Sequence, residues 1–234
     1  MTARDAGRPP VDVAASLAAV RARVDRAARA AGRDPAEVTL VAVVKNVDPA
    51  RIGEAIRAGQ RDFGENRAQE LVAHAAAVGT AATHAGVRWH FVGRLQSNKV
   101  RAVAPLVARW HSIDRVELVA LLARHAPHVP ALVQVNVAGE PSKGGCTPAG
   151  APALVDALRG AGVTVDGLMT VPPAAEDPAP HFDALRALAE RLGLRELSMG
   201  MTGDFEVAIA YGATFVRVGA AVFGARPHPT DLRR

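Results

Sequence analysis

A lysine ends one of the most apolar short stretches of the sequence. The stretch Leu40–Asn46 reads Leu-Val-Ala-Val-Val-Lys-Asn, and five of its seven residues are apolar. Three of the five are β-branched, which is typical of a strand buried on both faces. At the carboxyl end of such a strand, partial burial would lower the pKa of the Lys45 ammonium group. Because a free amine attacks carbonyl carbons, this position predicts that Lys45 forms a Schiff base with an aldehyde cofactor.

Two glycine-containing loops near the carboxyl terminus have the composition of a phosphate site. The first reads Ser-Met-Gly-Met-Thr-Gly over residues 198–203 and precedes a predicted helix. Its backbone N–H groups and the hydroxyls of Ser198 and Thr202 can donate to an anion, and a helix N-terminus adds partial positive charge. Gly219 and Ala220 offer two further N–H groups. Taken alone, the first loop is better explained as an ordinary turn in which Thr202 caps the helix.

The strand pattern places both features at one end of a barrel. We predict eight strands, over Leu40–Asn46, Arg61–Phe63, Trp89–Val92, Trp110–Ile113, Ala131–Val137, Val163–Met169, Glu196–Met199 and Thr214–Val218. They alternate with helical segments, and the amphipathic segment Val11–Ala31 precedes them all. This order predicts an α/β protein, a (β/α)8 TIM-type barrel with an extra N-terminal helix. A doubly wound open sheet is the alternative, because periodicity does not show how the strands close.

Length and composition are those of a single domain. The 234 residues, of which 49% are hydrophobic, suit one barrel. We predict a disordered tail over residues 1–10 and the barrel over residues 11–230. The absence of a long apolar run and of a signal peptide predicts a cytoplasmic protein that does not bind membranes. The one cysteine, Cys146, excludes an intrachain disulfide and is interpreted as an unreactive loop thiol.

The formal net charge of +5 raises the question of nucleic-acid binding. The basic residues are spread along the chain, without a block of five and without an aromatic ladder on which bases could stack. We therefore interpret them as an arginine-rich solvated surface and do not expect a nucleic-acid partner.

The carboxyl ends of barrel strands meet at one mouth, where active sites form. The residues at or just after the predicted ends are Lys45, Asn66, Gly93, Arg94, Asp114, Asn136, Met169, Thr170, Ser198 and residues 217–219. This set contains no carboxylate cluster and no histidine pair at metal spacing, which disfavours a metal hydrolase. An amine and a phosphate cradle on one rim together indicate a phosphorylated aldehyde, for which pyridoxal 5′-phosphate (PLP) is the obvious candidate.

Each of these residues also has an ordinary structural explanation. Lys45 could be an exposed loop lysine, Asn66 the N-cap of a helix, and Arg217 the partner of a carboxylate. His90 alternates with a buried phenylalanine on a predicted strand, and we expect it to be a structural histidine rather than a base.

Longer motifs carry a specific resemblance. Gly-Arg-Leu-Gln-Ser-Asn-Lys at 93–99 and Ser-Met-Gly-Met at 198–201 are the most unusual of several segments between residues 40 and 226. The chain resembles the pyridoxal phosphate homeostasis protein family, whose fold is similar to the N-terminal barrel of alanine racemase. The resemblance implies PLP as a Lys45 aldimine, a phosphate held by Ser198, Thr202, Gly219 and nearby backbone such as Ala220, a pyridine nitrogen facing Arg217, and a ring pocket lined by Asn66 and Met199.

The sequence departs from the family pattern at several positions near the expected site. Val44 and Asn46 flank the lysine where serine and threonine are frequent, and Thr202 replaces a common serine. Arg67 and Arg94 stand where tyrosine, and histidine or proline, are common. The departures remove no essential group, but the two arginines make the predicted rim more basic.

The implied arginine at the pyridine nitrogen distinguishes a carrier from an enzyme. A permanent cation disfavours protonation of that nitrogen and weakens the ring as an electron sink. Racemisation would still need an acid/base group on each face of Cα. The only tyrosine, Tyr211, falls in a predicted helix, and seventeen residues follow Arg217. We therefore expect a non-catalytic carrier in PLP (vitamin B6) homeostasis.

Two other functions are alternatives to the carrier. The first is a weak PLP-dependent amino-acid racemase, and the second is a nucleic-acid- or protein-binding module that kept only the barrel. The expected partners of the carrier are PLP and, transiently, PLP-dependent apo-enzymes. Because no large apolar surface stripe is evident, we expect a monomer.

Overall fold

The computed structural model describes residues 11–140 and 143–224. In this part of the chain, eight parallel strands follow one another around a closed barrel. They are β1 Thr39–Val43, β2 Asp62–Glu65, β3 Arg88–Phe91, β4 Val107–Ile113, β5 Ala131–Gln134, β6 Val165–Met169, β7 Glu196–Ser198 and β8 Phe215–Val218. The predicted barrel is confirmed, and the pairing of β1 with β8 rules out the open sheet. The predicted tail 1–10 and the end of the predicted domain, 225–230, lie outside the described residues.

Helices surround the barrel. They are α1 Val13–Ala30, α2 Pro49–Arg57, α3 Ala68–Ala85, α4 Val100–Val103, α5 Val119–His125, α6 Ala151–Gly160, α7 Ala179–Arg191, α8 Phe205–Ala210 and α9 Ala220–Phe223. The predicted N-terminal helix is confirmed as α1, which packs against α2, α8 and α9 across the place where β8 meets β1. Asp12 caps this helix by accepting from the Ala15 N–H at 3.0 Å.

Two predicted helices have different bounds. The helix predicted over Arg67–Val78 continues to Ala85, with a break at Gly79, whose φ is +47°. The helix predicted over 97–108 is wrong beyond Val103, because the next strand begins at Val107 and pairs there with Trp89. Strand pairing outweighs helical periodicity here.

The core has two parts. Most apolar side chains lie between the sheet and the helices, from Leu17 of α1 to Phe205 of α8. A smaller apolar cluster fills the barrel interior, formed by Val41, Leu132, Met169 and Phe215. The rest of the interior holds buried polar side chains, and these lie under the mouth described below.

Among the residues that the structure describes, no helix combines the length and the hydropathy that crossing a membrane requires.

Glycine at position 167 is required by the pairing of β6 with β7. Gly167 lies opposite Glu196, and a Cβ atom there would overlap the Glu196 carbonyl oxygen. We expect Gly167→Ala to lower the free energy of unfolding by about 2 kcal/mol or more, since backbone rather than a flexible side chain must move. The control is Gly160→Ala at the exposed end of α6, where a Cβ meets nothing within 4 Å. Urea unfolding curves measure both, and equal stabilities would contradict the assigned β6–β7 register.

Candidate functional site

Lys45 lies just beyond the end of β1, at the mouth of the barrel. Strand hydrogen bonding continues to Val44, whose N–H donates to the Gly64 carbonyl at 2.9 Å. The Lys45 side chain is half-buried, so it is not the exposed loop lysine of the ordinary explanation. Its amine has no hydrogen bond or ion pair to any residue that the structure describes. It is therefore available to a ligand.

The turn after Lys45 is held in an unusual conformation. Asn46 has a φ of +57°, the only positive φ of a non-glycine residue in the described part of the chain. Asparagine tolerates this left-handed region better than most residues. The Asn46 N–H donates to Glu70 Oε2 at 3.0 Å, and Arg67 Nη1 pairs with Glu70 Oε1 at 3.2 Å. The backbone beside Lys45 is thus anchored to the first turn of α3.

Asn66 occupies the matching position on the neighbouring strand. Val43 pairs with Gly64, so Lys45 and Asn66 each lie two residues beyond the same pair. Asn66 is not a helix N-cap, because that position belongs to Arg67. Its Oδ1 atom is buried and has no partner among the described residues. A buried amide atom left unsatisfied at the mouth fits a polar group of a ligand.

The backbone of Asn66 is fixed from two sides. Its N–H donates to Glu65 Oε1 at 2.7 Å, and the other oxygen of this fully buried carboxylate is 2.9 Å from His74 Nδ1. On the other side, a Cβ on Gly93 would overlap the Asn66 carbonyl oxygen. Glycine at 93 therefore permits the close approach of the loop after β3.

Arg217 points its guanidinium into the barrel just below the mouth. Nη1 donates to Ser198 Oγ at 2.6 Å and Nη2 to the Thr170 carbonyl at 2.8 Å. No carboxylate pairs with it in the described residues, so the ordinary explanation of an ion-pair partner does not hold. Burial lowers the pKa of Arg217 to about 10, and the group remains a cation at neutral pH.

The two glycine-containing loops are joined to each other and to β1. The Arg217 N–H donates to the Gly200 carbonyl at 3.0 Å. Gly200 has a φ of +89°, and a Cβ there would come within 2.6 Å of Ala208 Cβ. Since Val41 pairs with Arg217, Gly219 lies beside Val43, where its own Cβ would be 3.1 Å from the Val43 carbonyl oxygen.

Thr202 lies on this loop without serving as a helix cap. The N-cap of α8 is Asp204, whose Oδ1 accepts the Met201 N–H at 2.5 Å. The prediction that Thr202 caps this helix is therefore wrong. The following helices are short, six residues in α8 and four in α9, so backbone N–H groups rather than helix dipoles would carry anion binding.

The sequence relationships agree with this geometry. Residues 15–227 match the family model described as "Alanine racemase, N-terminal domain". The chain is 45% identical over 226 residues to the pyridoxal phosphate homeostasis protein of Pseudomonas aeruginosa, an alignment that covers 92% of this chain and 96% of that relative. The chain belongs to the pyridoxal phosphate homeostasis protein family. The Escherichia coli K12 member is 39% identical over 233 residues, covering 93% of this chain and 98% of its own.

A solved structure extends the comparison within this family. The structure of PipY from Synechococcus elongatus with PLP bound superposes with a TM-score of 0.77 at 34% identity, and it covers 91% of this chain and 100% of its own. The predicted relationship is thereby confirmed, and at least one similar barrel binds PLP.

Three predicted site residues differ in how far they are exposed to a ligand at the mouth. Ser198 and Met199 are completely buried. The Ser198 hydroxyl already has two partners, Arg217 and His111, and Met199 packs in the core between sheet and helices. Ala220 is exposed at the start of α9. The contacts of these three residues with a cofactor remain predictions.

Sequence reasoning missed the polar residues beneath Arg217. His111 and Asp62 are buried and hydrogen-bonded to His90, which is a satisfied interior histidine as expected. The available signal was alternation, because polar residues recur at every second position at Arg88 and His90 on one strand and at Arg109 and His111 on the next. Cys146 also matches its interpretation, since burial raises the pKa of its thiol to about 11.

A basic cavity adjoins the mouth. It has a volume of about 790 Å³, and its lining includes Asn66, Arg67, Arg94, Lys99 and Arg115. The Arg67 and Arg94 side chains are 62% and 76% exposed. The two departures from the family pattern therefore lie on one rim, as predicted.

The His74–Glu65 pair beneath Asn66 gives a pH-dependent contribution to stability. Its hydrogen bond to Glu65 raises the pKa of His74. The stabilisation is complete below the ordinary histidine pKa of about 6.5 and is lost as pH rises through the folded-state value. We expect His74→Gln to cost about 1 kcal/mol at acidic pH and less above that range. Denaturant titrations across this range measure the difference, and a cost that grows with pH would contradict the assignment.

Proposed function

We propose that this protein binds PLP at the barrel mouth through a Schiff base to Lys45. The observation that carries the proposal is a half-buried amine without a partner at the same mouth as a buried arginine cation held only by neutral acceptors. Bound PLP would supply an aldehyde, and its condensation with the Lys45 amine releases one water. The PLP complex of PipY supports the choice of ligand.

The remaining residues fit the parts of this ligand. The Thr202 hydroxyl and the backbone N–H groups of Gly219 and Ala220 would hold the phosphate, and the Asn66 amide, with its unsatisfied atom, would meet a polar group on the ring. Arg217 would face the pyridine nitrogen. For the fully buried Ser198 and Met199, we propose indirect roles in holding Arg217 and the loop that carries Thr202.

We propose a carrier rather than an enzyme. A buried, permanently charged Arg217 disfavours protonation of the pyridine nitrogen and so weakens the ring as an electron sink. Racemisation needs a second acid/base group. The only tyrosine, Tyr211, follows α8 and therefore lies towards the opposite end of the barrel from Lys45. The names of the relatives refer to homeostasis, and transient delivery of PLP by a monomer to apo-enzymes is part of the proposal.

Borohydride reduction tests the linkage. The chain contains only three lysines, Lys45, Lys99 and Lys143. The Lys143 ammonium donates to the Pro172 carbonyl, whereas Lys99 lines the basic cavity. After incubation with PLP and reduction, peptide mass spectrometry should find the pyridoxyl group on Lys45. Lys99→Ala is the matched control and should retain full labelling, while Lys45→Ala should lose it.

Two outcomes would overturn parts of the proposal. Labelling of other lysines, with Lys45 unmodified, would rule out the proposed Schiff base at Lys45. If the protein racemises an amino acid and Lys45→Ala abolishes this activity, the protein is an enzyme and the proposed carrier function is wrong. No turnover, together with Lys45 labelling, supports the carrier.

A further inference from the structure

A continuous line of hydrogen bonds crosses the barrel interior below Arg217. Ser198 Oγ, which accepts from Arg217, is 2.8 Å from His111 Nδ1. His111 Nε2 is 2.8 Å from His90 Nδ1, and His90 Nε2 is 2.9 Å from Asp62 Oδ1. Asp62, the first residue of β2, lies at the opposite end of the barrel from the mouth. We refer to Asp62, His90, His111 and Ser198 as the interior relay.

The relay is isolated from solvent over its central part. His90 is 3% exposed and both His111 and Ser198 are completely buried. Phe215 packs against the two imidazoles, with ring centroids 5.9 Å from His90 and 5.2 Å from His111. At its far end, Asp62 forms a two-point ion pair with Arg88, at 2.7 and 2.6 Å.

The charge state of each member follows from its surroundings. Burial raises the pKa of Asp62, but hydrogen bonds from His90 and Arg88 outweigh it and leave that pKa below the ordinary value. Burial lowers the pKa of His90 and of His111. At neutral pH the relay therefore consists of one carboxylate and two neutral imidazoles.

These charge states allow only one pattern of donors. An ionised Asp62 only accepts, so His90 must donate from Nε2 and accept at Nδ1. His111 must then donate from Nε2 and accept at its own Nδ1. That leaves the Ser198 hydroxyl to donate to His111, with its oxygen free to accept from Arg217. Every bond points from the mouth towards Asp62.

We propose that Asp62, His90 and His111 are positioning residues, which fix the direction of the Ser198 hydroxyl and thereby hold the Arg217 guanidinium in place towards the ligand at the mouth. The role towards PLP rests on the proposed function, whereas the hydrogen-bond direction does not. Reversal of the relay would make Nδ1 of His111 a donor to Ser198. The serine oxygen would then receive two donors, and its own hydrogen would lose its acceptor.

The direction of the relay can be measured without any ligand. Two-bond proton–nitrogen correlation spectra of the PLP-free protein near pH 8, above the ordinary histidine pKa, report which ring nitrogen carries the proton. We expect both His90 and His111 as Nε2–H tautomers, assigned by comparison with His90→Gln. A His111 protonated at Nδ1 in the unsubstituted protein would overturn the proposal, whatever the stability of any variant.

Asp62→Asn removes the charge that sets the direction while keeping the shape. We expect His111 to become a mixture of tautomers in this variant. The control is Asp166→Asn, which breaks another Asp–Arg pair, the partly buried one with Arg109. Asp166 has no hydrogen bond to either histidine of the relay. An unchanged single tautomer in Asp62→Asn would contradict the role of the carboxylate.

Measurements of PLP binding then test the positioning role and the proposed function separately. We expect PLP affinity about tenfold lower in Asp62→Asn, with a shifted absorbance maximum of the bound cofactor, and little change in Asp166→Asn. If the unsubstituted protein binds PLP and Asp62→Asn binds it equally well with the same spectrum, the positioning role is wrong and the proposed function stands. If the unsubstituted protein binds no PLP, the proposed function fails and the role towards PLP fails with it.

Discussion

The site depends on a buried cation that has no carboxylate partner. An arginine placed inside a barrel loses its hydration, and its charge must be stabilised by whatever acceptors the neighbouring strands provide. Arg217 obtains them from the Ser198 hydroxyl on β7 and the Thr170 carbonyl after β6. Neither acceptor is charged, and Asp204 attracts Arg217 only through space. The charge of Arg217 is therefore not neutralised by a direct ion pair within the part of the chain that the structure describes.

The same arginine connects the elements that surround the ligand site. The Arg217 backbone N–H donates to the Gly200 carbonyl. Arg217 also pairs with Val41 of β1, and this register places Gly219 beside Val43. Lys45 lies two residues beyond Val43, the last residue of β1. A change in the position of β8 would therefore displace the two glycine-containing loops and the Lys45 amine relative to each other, which is why the closed barrel matters for the proposed binding and not only for stability.

Much of this architecture is predictable from sequence, for physical reasons that differ between elements. Parallel strands buried on both faces produce apolar runs that end abruptly, and the run before Lys45 shows this clearly. The barrel and the position of Lys45 at a strand end follow from that pattern. The strand before Asn66 was predicted only over Arg61–Phe63, because Gly64 and Glu65, which extend β2, do not continue an apolar run. The start of β4 at Val107 does not follow from the pattern either, because that segment also has helical spacing and only its pairing with β3 decides the outcome.

The interior relay was beyond sequence reasoning for a different reason. His111 and Ser198 are 87 residues apart and meet across the barrel interior, a contact that depends on how the barrel closes. Periodicity identifies inward-facing positions but not which of them meet. The αL turn at Asn46 was missed likewise, since it depends on an acceptor contributed by Glu70 of α3.

The most direct test of the central claim is a crystal structure of the protein soaked with PLP. The account predicts density that is continuous from Lys45 Nζ into the ligand, with the pyridine nitrogen next to Arg217 and the phosphate between Thr202 and Gly219. Ligand density confined to the basic cavity beside Lys99, with Lys45 unmodified, would contradict it.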